Sequence, residues 1–392
     1  MTYFQGRCRC RTNRALINAV LGISKMAAEG DVPKLAITIN PEDPDDDVMA
    51  IIEKLRPRWK RSDVKRKTLG ENASMVNKMY AYYVTKTCDV DAIVVRIYGT
   101  DFVEYSDRDR EIKVTLLLSE IGLSPKVYCT FENGMCFAFA KGKPYDLKDR
   151  ATFSCKKLAM AVAKELAGIH CKNTAKLAAE KYGIPVEVDT AHESFRVALG
   201  AWGPEMDKLD PLVTTPEFPT KAMVKEEIDR VDQIVRDLGM PVVMSHNDLH
   251  PANVIFDQET GKCVIVDYEY SFFNHQGWDL AQYLFYAAFG VGVEKNTPEM
   301  HQTEYRKDFL RSYLKRLSIL DNWGRDVTEL DVDELLEKVN KFTMFVMLFH
   351  IPISLIVASK PPENFADDTN WCRGALNAWK LYLATRKELL GF

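Results

Sequence analysis

This 392-residue sequence lacks both a strong charge imbalance and a long uninterrupted apolar run. Its formal net charge is only −4, which gives no reason to expect nucleic acid or an anionic membrane surface as a partner. No run of about 18 apolar residues occurs, so no stable membrane insertion is expected. Internal repeats and low-complexity tracts are absent as well. Hydrophobic residues at 46% and charged residues at 28% are typical of an ordinary globular protein.

The nine cysteines are scattered along the chain and odd in number, which argues against a disulfide framework. Only Cys8 and Cys10 lie close together, and such a C-x-C pair alone is a weak metal signal. Reduced thiols in a cytoplasmic protein are therefore expected.

Residues 1–40 form a basic N-terminal segment that we set apart from the folded lobes. Before Glu29 it contains five basic side chains and no acidic one. This composition fits a frayed terminus or, as an alternative, a mitochondrial presequence. Tyr3-Phe4-Gln5-Gly6 also resembles the remnant of a cleavable tag, so the segment is interpreted as disordered or tag-derived.

The length of the chain predicts two lobes, because 392 residues exceed what one hydrophobic core usually holds. The first part is rich in strand signals. The β-branched run Ala92–Tyr98 predicts a strand, and Asn133-Gly134 between two apolar runs predicts a hairpin. One helix is expected between them, over Asp107–Ile121 with Ser106 as its N-cap. The N-lobe is therefore predicted over residues 41–143.

Lys141-Gly142-Lys143-Pro144 interrupts this pattern and is the candidate hinge. Beyond it, helical spacing dominates the predicted C-lobe, residues 144–392, and one short β island spans Val242 to Val266. The clearest predicted helices cover Leu158–His170, Met223–Leu238, Tyr305–Leu317, Val332–His350 and Trp371–Leu390. The predicted fold class is α+β, with a small β-rich N-lobe and a large, mainly helical C-lobe.

The β island carries three polar side chains at an informative spacing. Asp248 follows a short apolar run, Asn253 lies five residues later, and Asp267 follows Asn253 by 14 residues at the end of a strand. Phosphoryl transfer needs one carboxylate near the acceptor hydroxyl, and an amide oxygen with a second carboxylate to hold Mg²⁺ against ATP. The spacing parallels the protein-kinase loop H-R-D-x-x-x-x-N and its D-F-G aspartate, here H-N-D-x-x-x-x-N and D-Y-E.

Two histidines flank Asp248 in this loop. His246 is expected to brace the loop backbone rather than to act as a base. The role of His250 is left open between lining the cleft and capping the turn before Pro251.

A cation inside the apolar strand of the first lobe indicates the other half of the site. Arg96 would be costly to bury unless it is paired, and the following helix offers Glu111. Such a pair would hold the nucleotide phosphates, as the Lys–Glu pair does in protein kinases. A phosphate-cradling turn is expected before the strand, over Leu69–Tyr80, although Gly70 is its only glycine and the signal is weak.

These residues resemble the choline/ethanolamine kinase family, from about Lys67 to about Ala358. The most specific matching stretches are Val94–Gly99, Asp107–Glu111, Leu123–Phe131 with Asn133-Gly134, His246–Asp248 with Asn253, and Asp267–Ser271 with Asn274 and Asp279. The resemblance implies a protein-kinase-like two-lobe fold and transfer of the ATP γ-phosphate to the hydroxyl of a small amino alcohol. That reaction is the first step of phospholipid head-group synthesis. The Asp-Arg-Asp and Tyr-Cys-Thr-Phe stretches are closer to the ethanolamine branch.

The resemblance also implies roles for individual residues. Asp248 would be the catalytic base, and Asn253 and Asp267 would bind Mg²⁺. The nucleotide-binding residues would be Arg96, Glu111, Asn77 and Ser74. The acceptor pocket would be lined by Tyr270, Glu269, Tyr286, His250 and His350.

The chain departs from the family pattern in two places. Ala73, Ser74 and Val76 stand where the phosphate loop usually has Gly or Gly-Gly and a Thr. The acceptor pocket is usually an aromatic cage, which suits an ammonium group. Tyr270 matches one cage position, whereas Tyr286 replaces a glutamate, and His350 and Ile353 replace two tryptophans. The reaction type is thus predicted more firmly than the choice between ethanolamine and choline.

Two other functions stay open. His250-Pro251 resembles the H-G-D-L-H-P-G-N pattern of aminoglycoside and methylthioribose phosphotransferases, and the unusual phosphate loop suggests an inactive, pseudokinase-like binding protein. A homodimer is left open as well.

Overall fold

The computed structural model describes residues 32–69, 77–85, 90–99, 107–144, 155–186, 198–290, 292–293, 302–359 and 370–391. Its strands are β1 (Lys34–Leu35), β2 (Lys65–Leu69), β3 (Asn77–Thr85), β4 (Val90–Tyr98), β5 (Val127–Phe131), β6 (Gly134–Ala138), β7 (Lys143–Pro144), β8 (Val242–Ser245), β9 (Val254–Asp257), β10 (Lys262–Ile265) and β11 (Phe272–His275). Its helices are α1 (Asp45–Leu55), α2 (Arg108–Glu120), α3 (Lys156–His170), α4 (Lys172–Glu180), α5 (Lys221–Asp237), α6 (Gly277–Phe289), α7 (Thr303–Leu320), α8 (Glu329–Ser359) and α9 (Trp371–Leu390).

The N-lobe is built on a six-stranded sheet in the order β1-β5-β6-β4-β3-β2. Strand β4 lies inside this sheet, between β6 and β3, and its side chains alternate between the two faces. Ile93, Val95 and Ile97 point into the N-lobe core. Arg96 therefore points to the opposite face of the sheet, where it meets α2 and Asp267.

The sheet begins earlier than the sequence predicted. Strand β1 pairs in parallel with β5, and Ile39 is fully buried in the N-lobe core. The side chain of Asn133 holds the backbone of Ile39 from both sides, accepting from its N–H at 2.9 Å and donating to its carbonyl at 2.8 Å. Residues before the predicted boundary at residue 40 therefore pair with the sheet and pack into the N-lobe core.

Helix α2 connects the N-lobe to the larger core. Asp107 is its N-cap and accepts from the backbone N–H of Arg110, whereas Ser106, the cap predicted from the sequence, lies outside the described residues. Glu111, Val114 and Leu118 share one face at helical spacing. Val114 and Leu118 pack into the C-lobe core, so Glu111 is carried toward the junction of the lobes.

The C-lobe is mainly helical, with one large hydrophobic core, as predicted. Two small sheets lie within it, one of β10-β9-β7 and one of β11-β8. Apart from β7, their strands belong to the segment that carries Asp248, Asn253 and Asp267. Helix α8 is long and apolar enough to cross a membrane by length and composition, and 78% of its most apolar window is buried inside the protein, as in a core helix.

Candidate active site

The loop that carries Asp248 and Asn253 follows β8, and the β9–β10 hairpin after it leads to Asp267. Two non-glycine residues adopt the left-handed backbone conformation here, Asn247 at φ 66° and Asp267 at φ 71°. Asn and Asp are the residue types that tolerate this conformation best after glycine. The backbone N–H of Val266 donates to the carbonyl of Asn253 at 2.9 Å, which places Asp267 beside the end of the loop.

Asp248 and Asn253 are in direct contact. The Nδ2 group of Asn253 donates to the backbone oxygen of Asp248 at 2.9 Å and to its Oδ2 at 3.3 Å. Because both donations use Nδ2, the Oδ1 atom of Asn253 stays available as an oxygen ligand. The side chain of Asp248 is 34% exposed, so it is held in place and open to a substrate.

His246 braces the loop through both ring nitrogens. Its Nε2 lies 2.9 Å from the carbonyl of Val266, and its Nδ1 lies 3.3 Å from the backbone N–H of Asp248. A carbonyl can only accept and a backbone N–H can only donate, so the ring is the neutral tautomer with its proton on Nε2. The imidazole therefore ties the segment before Asp267 to Asp248, which is the bracing role predicted for it.

A buried carboxylate that is absent from the predicted site residues holds the same loop. Asp279, on α6, accepts from the backbone N–H groups of His246 at 2.7 Å and Asn247 at 2.8 Å. His170 Nε2 lies 3.0 Å from the Asp279 carboxylate. Burial alone would raise the pKa of Asp279, but its hydrogen bonds with the His170 ring and with the backbone N–H of His246 lower it below its ordinary value. Asp279 is thus an ionised clamp on the backbone next to Asp248.

The hydrogen-bond chain behind Asp279 fixes the tautomer of His170. Gln276 Nε2 donates to the hydroxyl of Tyr313 at 2.8 Å, and that hydroxyl lies 2.8 Å from His170 Nδ1. The hydroxyl donates to Nδ1, which leaves the Nε2 proton for Asp279. Further support comes from Gln282, which accepts from the backbone N–H of Leu249 at 2.6 Å.

Arg96 lies at the junction of the lobes with several carboxyl groups around it. Its Nη1 is 2.6 Å from Glu111, and its Nη2 is 3.3 Å from Asp267 and 3.6 Å from Glu269. Burial opposes its charge, but Asp267, Glu111 and Glu269 together raise the pKa of Arg96 above its ordinary value. The arginine is thus cationic and next to a predicted metal ligand, where nucleotide phosphates would meet both.

Glu269, predicted to line the acceptor pocket, lies beside the two arginines at the junction of the lobes. Its side chain is buried and faces Arg96 and Arg108, with Oε2 3.6 Å from an Nη atom of each. Burial, followed by the negative charge of Asp267, raises the pKa of Glu269. The position two residues after Asp267 directs this side chain toward β4 and α2.

Three of the other predicted acceptor residues, His250, Tyr286 and His350, form a chain of contacts that begins at Asp248. His250 Nε2 lies 3.6 Å from Asp248 Oδ2, and the His250 ring meets the edge of Tyr286 at 6.1 Å between centroids. The Tyr286 hydroxyl is 3.2 Å from His350 Nδ1, and His350 Nε2 is 3.0 Å from Ser354. Burial, and then the charges of Glu269 and Asp248, raise the pKa of Tyr270.

The phosphate loop is only partly described. Ser74 lies outside the described residues, and Asn77 is the first residue of β3, buried and paired with Tyr98. No group of three or more His, Cys, Asp or Glu side chains forms a metal cage in the described part of the chain. Mg²⁺ keeps several waters and needs few protein oxygens, so the Asn253 amide and the Asp267 carboxylate fit it as a donor set.

The chain is similar in sequence and fold to several known proteins. The mouse (Mus musculus) protein named ethanolamine kinase 1 is 29% identical over 326 residues, which cover 80% of this chain and 84% of the relative. The choline kinase from Cryptosporidium parvum has a TM-score of 0.69 at 21% identity, covering 88% of this chain and 96% of that one. An ethanolamine kinase from Plasmodium vivax has a TM-score of 0.62 at 17% identity, covering 88% and 95%.

The two solved structures support the protein-kinase-like fold of both lobes. The family profile described as choline/ethanolamine kinase matches residues 72–371, which is more than half of the chain and takes in every candidate site residue. The chain therefore belongs to the choline/ethanolamine kinase family.

Proposed function

We propose that this kinase transfers the γ-phosphate of ATP to the hydroxyl of ethanolamine, with choline as the second acceptor. The observation that carries the proposal is the contact of Asp248 with Asn253 and the placement of Asp267 beside them, opposite Arg96. The relatives named ethanolamine kinase support the acceptor. Phosphorylation of this alcohol would begin the synthesis of a phospholipid head group.

In this proposal Asp248 accepts the proton of the acceptor hydroxyl, which is the general-base role in phosphoryl transfer. Arg96, held by Glu111, faces the nucleotide phosphates. Asn253 and Asp267 would hold Mg²⁺, which when bound would neutralise phosphate charge. The clamp by Asp279 keeps the Asp248 backbone in place, so little reorganisation is needed when the substrates arrive.

An acceptor assay tests the proposal. ADP release by the purified protein is measured with ethanolamine, choline, an aminoglycoside and methylthioribose as acceptors. We expect kcat/KM to be highest for ethanolamine and lower for choline. Turnover of neither amino alcohol, in protein that binds ATP, would reject the proposal.

Asp267→Asn tests the metal role. Asn tolerates the left-handed backbone at this position, so the variant should fold, but it replaces a carboxylate ligand with a neutral amide. We expect the Mg²⁺ concentration for half-maximal rate to rise by at least about tenfold, the scale on which metal-site substitutions act. The exposed Asp229→Asn on α5 is the matched control and should titrate like the wild type. A Mg²⁺ titration of initial rates that superimposes for both variants would remove Asp267 from the metal site.

The alternative functions have less support. The relatives named above act by name on amino alcohols, which does not favour an aminoglycoside or methylthioribose kinase. An inactive binding protein would show no ATP turnover in the acceptor assay.

A cytoplasmic location is part of the proposal, supported by the six free thiols in the described ranges of the chain, five of them buried. A homodimer stays a prediction.

A further inference from the structure

Arg108, on the first turn of α2, lies next to the Arg96–Glu111 pair and is not among the predicted site residues. Its Nη1 is 2.7 Å from Glu111 Oε2 and 3.6 Å from Glu269 Oε2. Arg96 contacts Glu111 through the other carboxylate oxygen, Oε1, and also lies 3.6 Å from Glu269. The four side chains thus form a closed ring in which each arginine touches both glutamates.

The four side chains of this ion-pair ring are largely buried, and the aromatic ring of Tyr98 packs against both arginines. Side-chain exposure is 9% for Arg96, 0% for Glu111, 18% for Arg108 and 9% for Glu269. Both guanidinium groups lie over the ring of Tyr98, at 4.7 Å for Arg108 and 5.9 Å for Arg96. In such a buried environment, removing one partner of a carboxylate is destabilising, because the charge that remains is not compensated.

The ring joins three separate segments of the chain. Arg96 comes from β4, Arg108 and Glu111 come from α2, and Glu269 follows Asp267 by two residues. Both contacts at Glu111 are short ion pairs, 2.6 Å to Arg96 and 2.7 Å to Arg108. Both contacts at Glu269 are longer, at 3.6 Å. Arg108 therefore holds Glu111 tightly and the Asp267 segment more loosely.

We propose that Arg108 is a positioning residue for nucleotide binding, which orients Glu111 toward Arg96 and couples α2 to the segment carrying Asp267. The inference rests on the proposed function only in taking ATP as the phosphate donor. It does not depend on which alcohol is the acceptor, so its test uses nucleotide binding.

The experiment measures the Kd of AMP-PNP with Mg²⁺ by calorimetry for Arg108→Met, Glu269→Gln and the double variant. We expect Arg108→Met to weaken binding about tenfold, within the range of coupling energies between contacting residues. The double variant should bind within about twofold of Arg108→Met, because both changes break the same link. Arg108→Lys keeps the positive charge but not the planar group over Tyr98, so it should lose less affinity than Arg108→Met but more than an exposed control.

Lys113→Met is the matched control, because it removes one positive charge from an exposed position on the same helix. It should bind AMP-PNP like the wild type. Equal affinities of Arg108→Met and Lys113→Met would overturn the proposal. A double variant whose loss of affinity equals the product of the losses in Arg108→Met and Glu269→Gln would overturn it as well. Should Arg108→Met fail to fold, Arg108→Lys and Glu269→Gln decide the question. A wild type that binds AMP-PNP but phosphorylates neither amino alcohol would reject the proposed function and leave this test intact.

Discussion

Replacing Asp248 with Asn is expected to lower kcat by about 10²–10⁴-fold, the range that general-base removal typically costs. The amide keeps the shape of the carboxylate and can still accept from Asn253 Nδ2, so the loop geometry should survive. In the proposed mechanism, the variant loses the basic oxygen that would accept the proton of the acceptor hydroxyl. Initial rates at saturating ATP, Mg²⁺ and ethanolamine provide the measurement, and the KM for ATP should change little.

The exposed Asp229→Asn on α5 again serves as the control and should keep the wild-type kcat. Thermal unfolding of Asp248→Asn should stay close to the wild type, because the side chain is 34% exposed and substitutions at such positions usually cost little. A folded Asp248→Asn variant whose kcat falls by less than tenfold would exclude the base role.

The part of the site that was predicted from the sequence is the part encoded over short distances. Asp248 and Asn253 are five residues apart, and the hairpin between Asn253 and Asp267 brings the third group back beside them. Arg96 was identified because a cation in an apolar strand needs a partner, and the structure places Glu111 2.6 Å from it. The two-lobe fold was likewise predicted from local strand, hairpin and helix signals.

The residues that sequence reasoning missed act over long separations. His170 and Asp279 lie on different helices, and neither stands out as a lone polar residue in an amphipathic segment. Only the packing of α3 against α7 and the catalytic segment shows that they meet. Asp279 was part of the family resemblance, which is the one signal that could have pointed to the clamp.

Glu269 shows a different limit. In extended backbone, side chains alternate between two directions, so the direction of a residue two positions after Asp267 would follow from that of Asp267. A left-handed residue interrupts this alternation, and the sequence alone then does not fix the direction of the Glu269 side chain. Asp267 is left-handed, at φ 71°, and Glu269 turns toward Arg96 and Arg108. The backbone conformation that settles this direction has no unambiguous sequence signal when the residue is Asp rather than Gly.

The second large effect is expected for Asp279→Asn, which should lower both stability and kcat. The carboxylate accepts from two backbone N–H groups and from His170, and an amide would turn an N–H donor toward one of these donors. Each buried polar group left without a partner costs about 1–3 kcal/mol, so a loss of about 3 kcal/mol in unfolding free energy is expected. Because the clamp holds the backbone of His246 and Asn247 beside Asp248, kcat should also fall at least about tenfold at temperatures where the variant is folded.

Glu227→Gln is the control that separates an effect on Asp248 from a general loss of stability. Glu227 is a buried carboxylate on α5 that accepts from Tyr382 and Arg386. Both variants should have a lower Tm, but only Asp279→Asn should lose kcat.

The folded-state pKa of Asp279 lies below its ordinary value, so its contribution to stability is present above an unfolded-state pKa of about 3.9 and is lost as the pH falls through the folded-state pKa. The gap in unfolding free energy between the wild type and Asp279→Asn should therefore be constant above about pH 5 and shrink below about pH 4. Denaturant titrations across this range give the measurement, and a variant with wild-type kcat and a lowered Tm would show that Asp279 supports the fold without positioning Asp248.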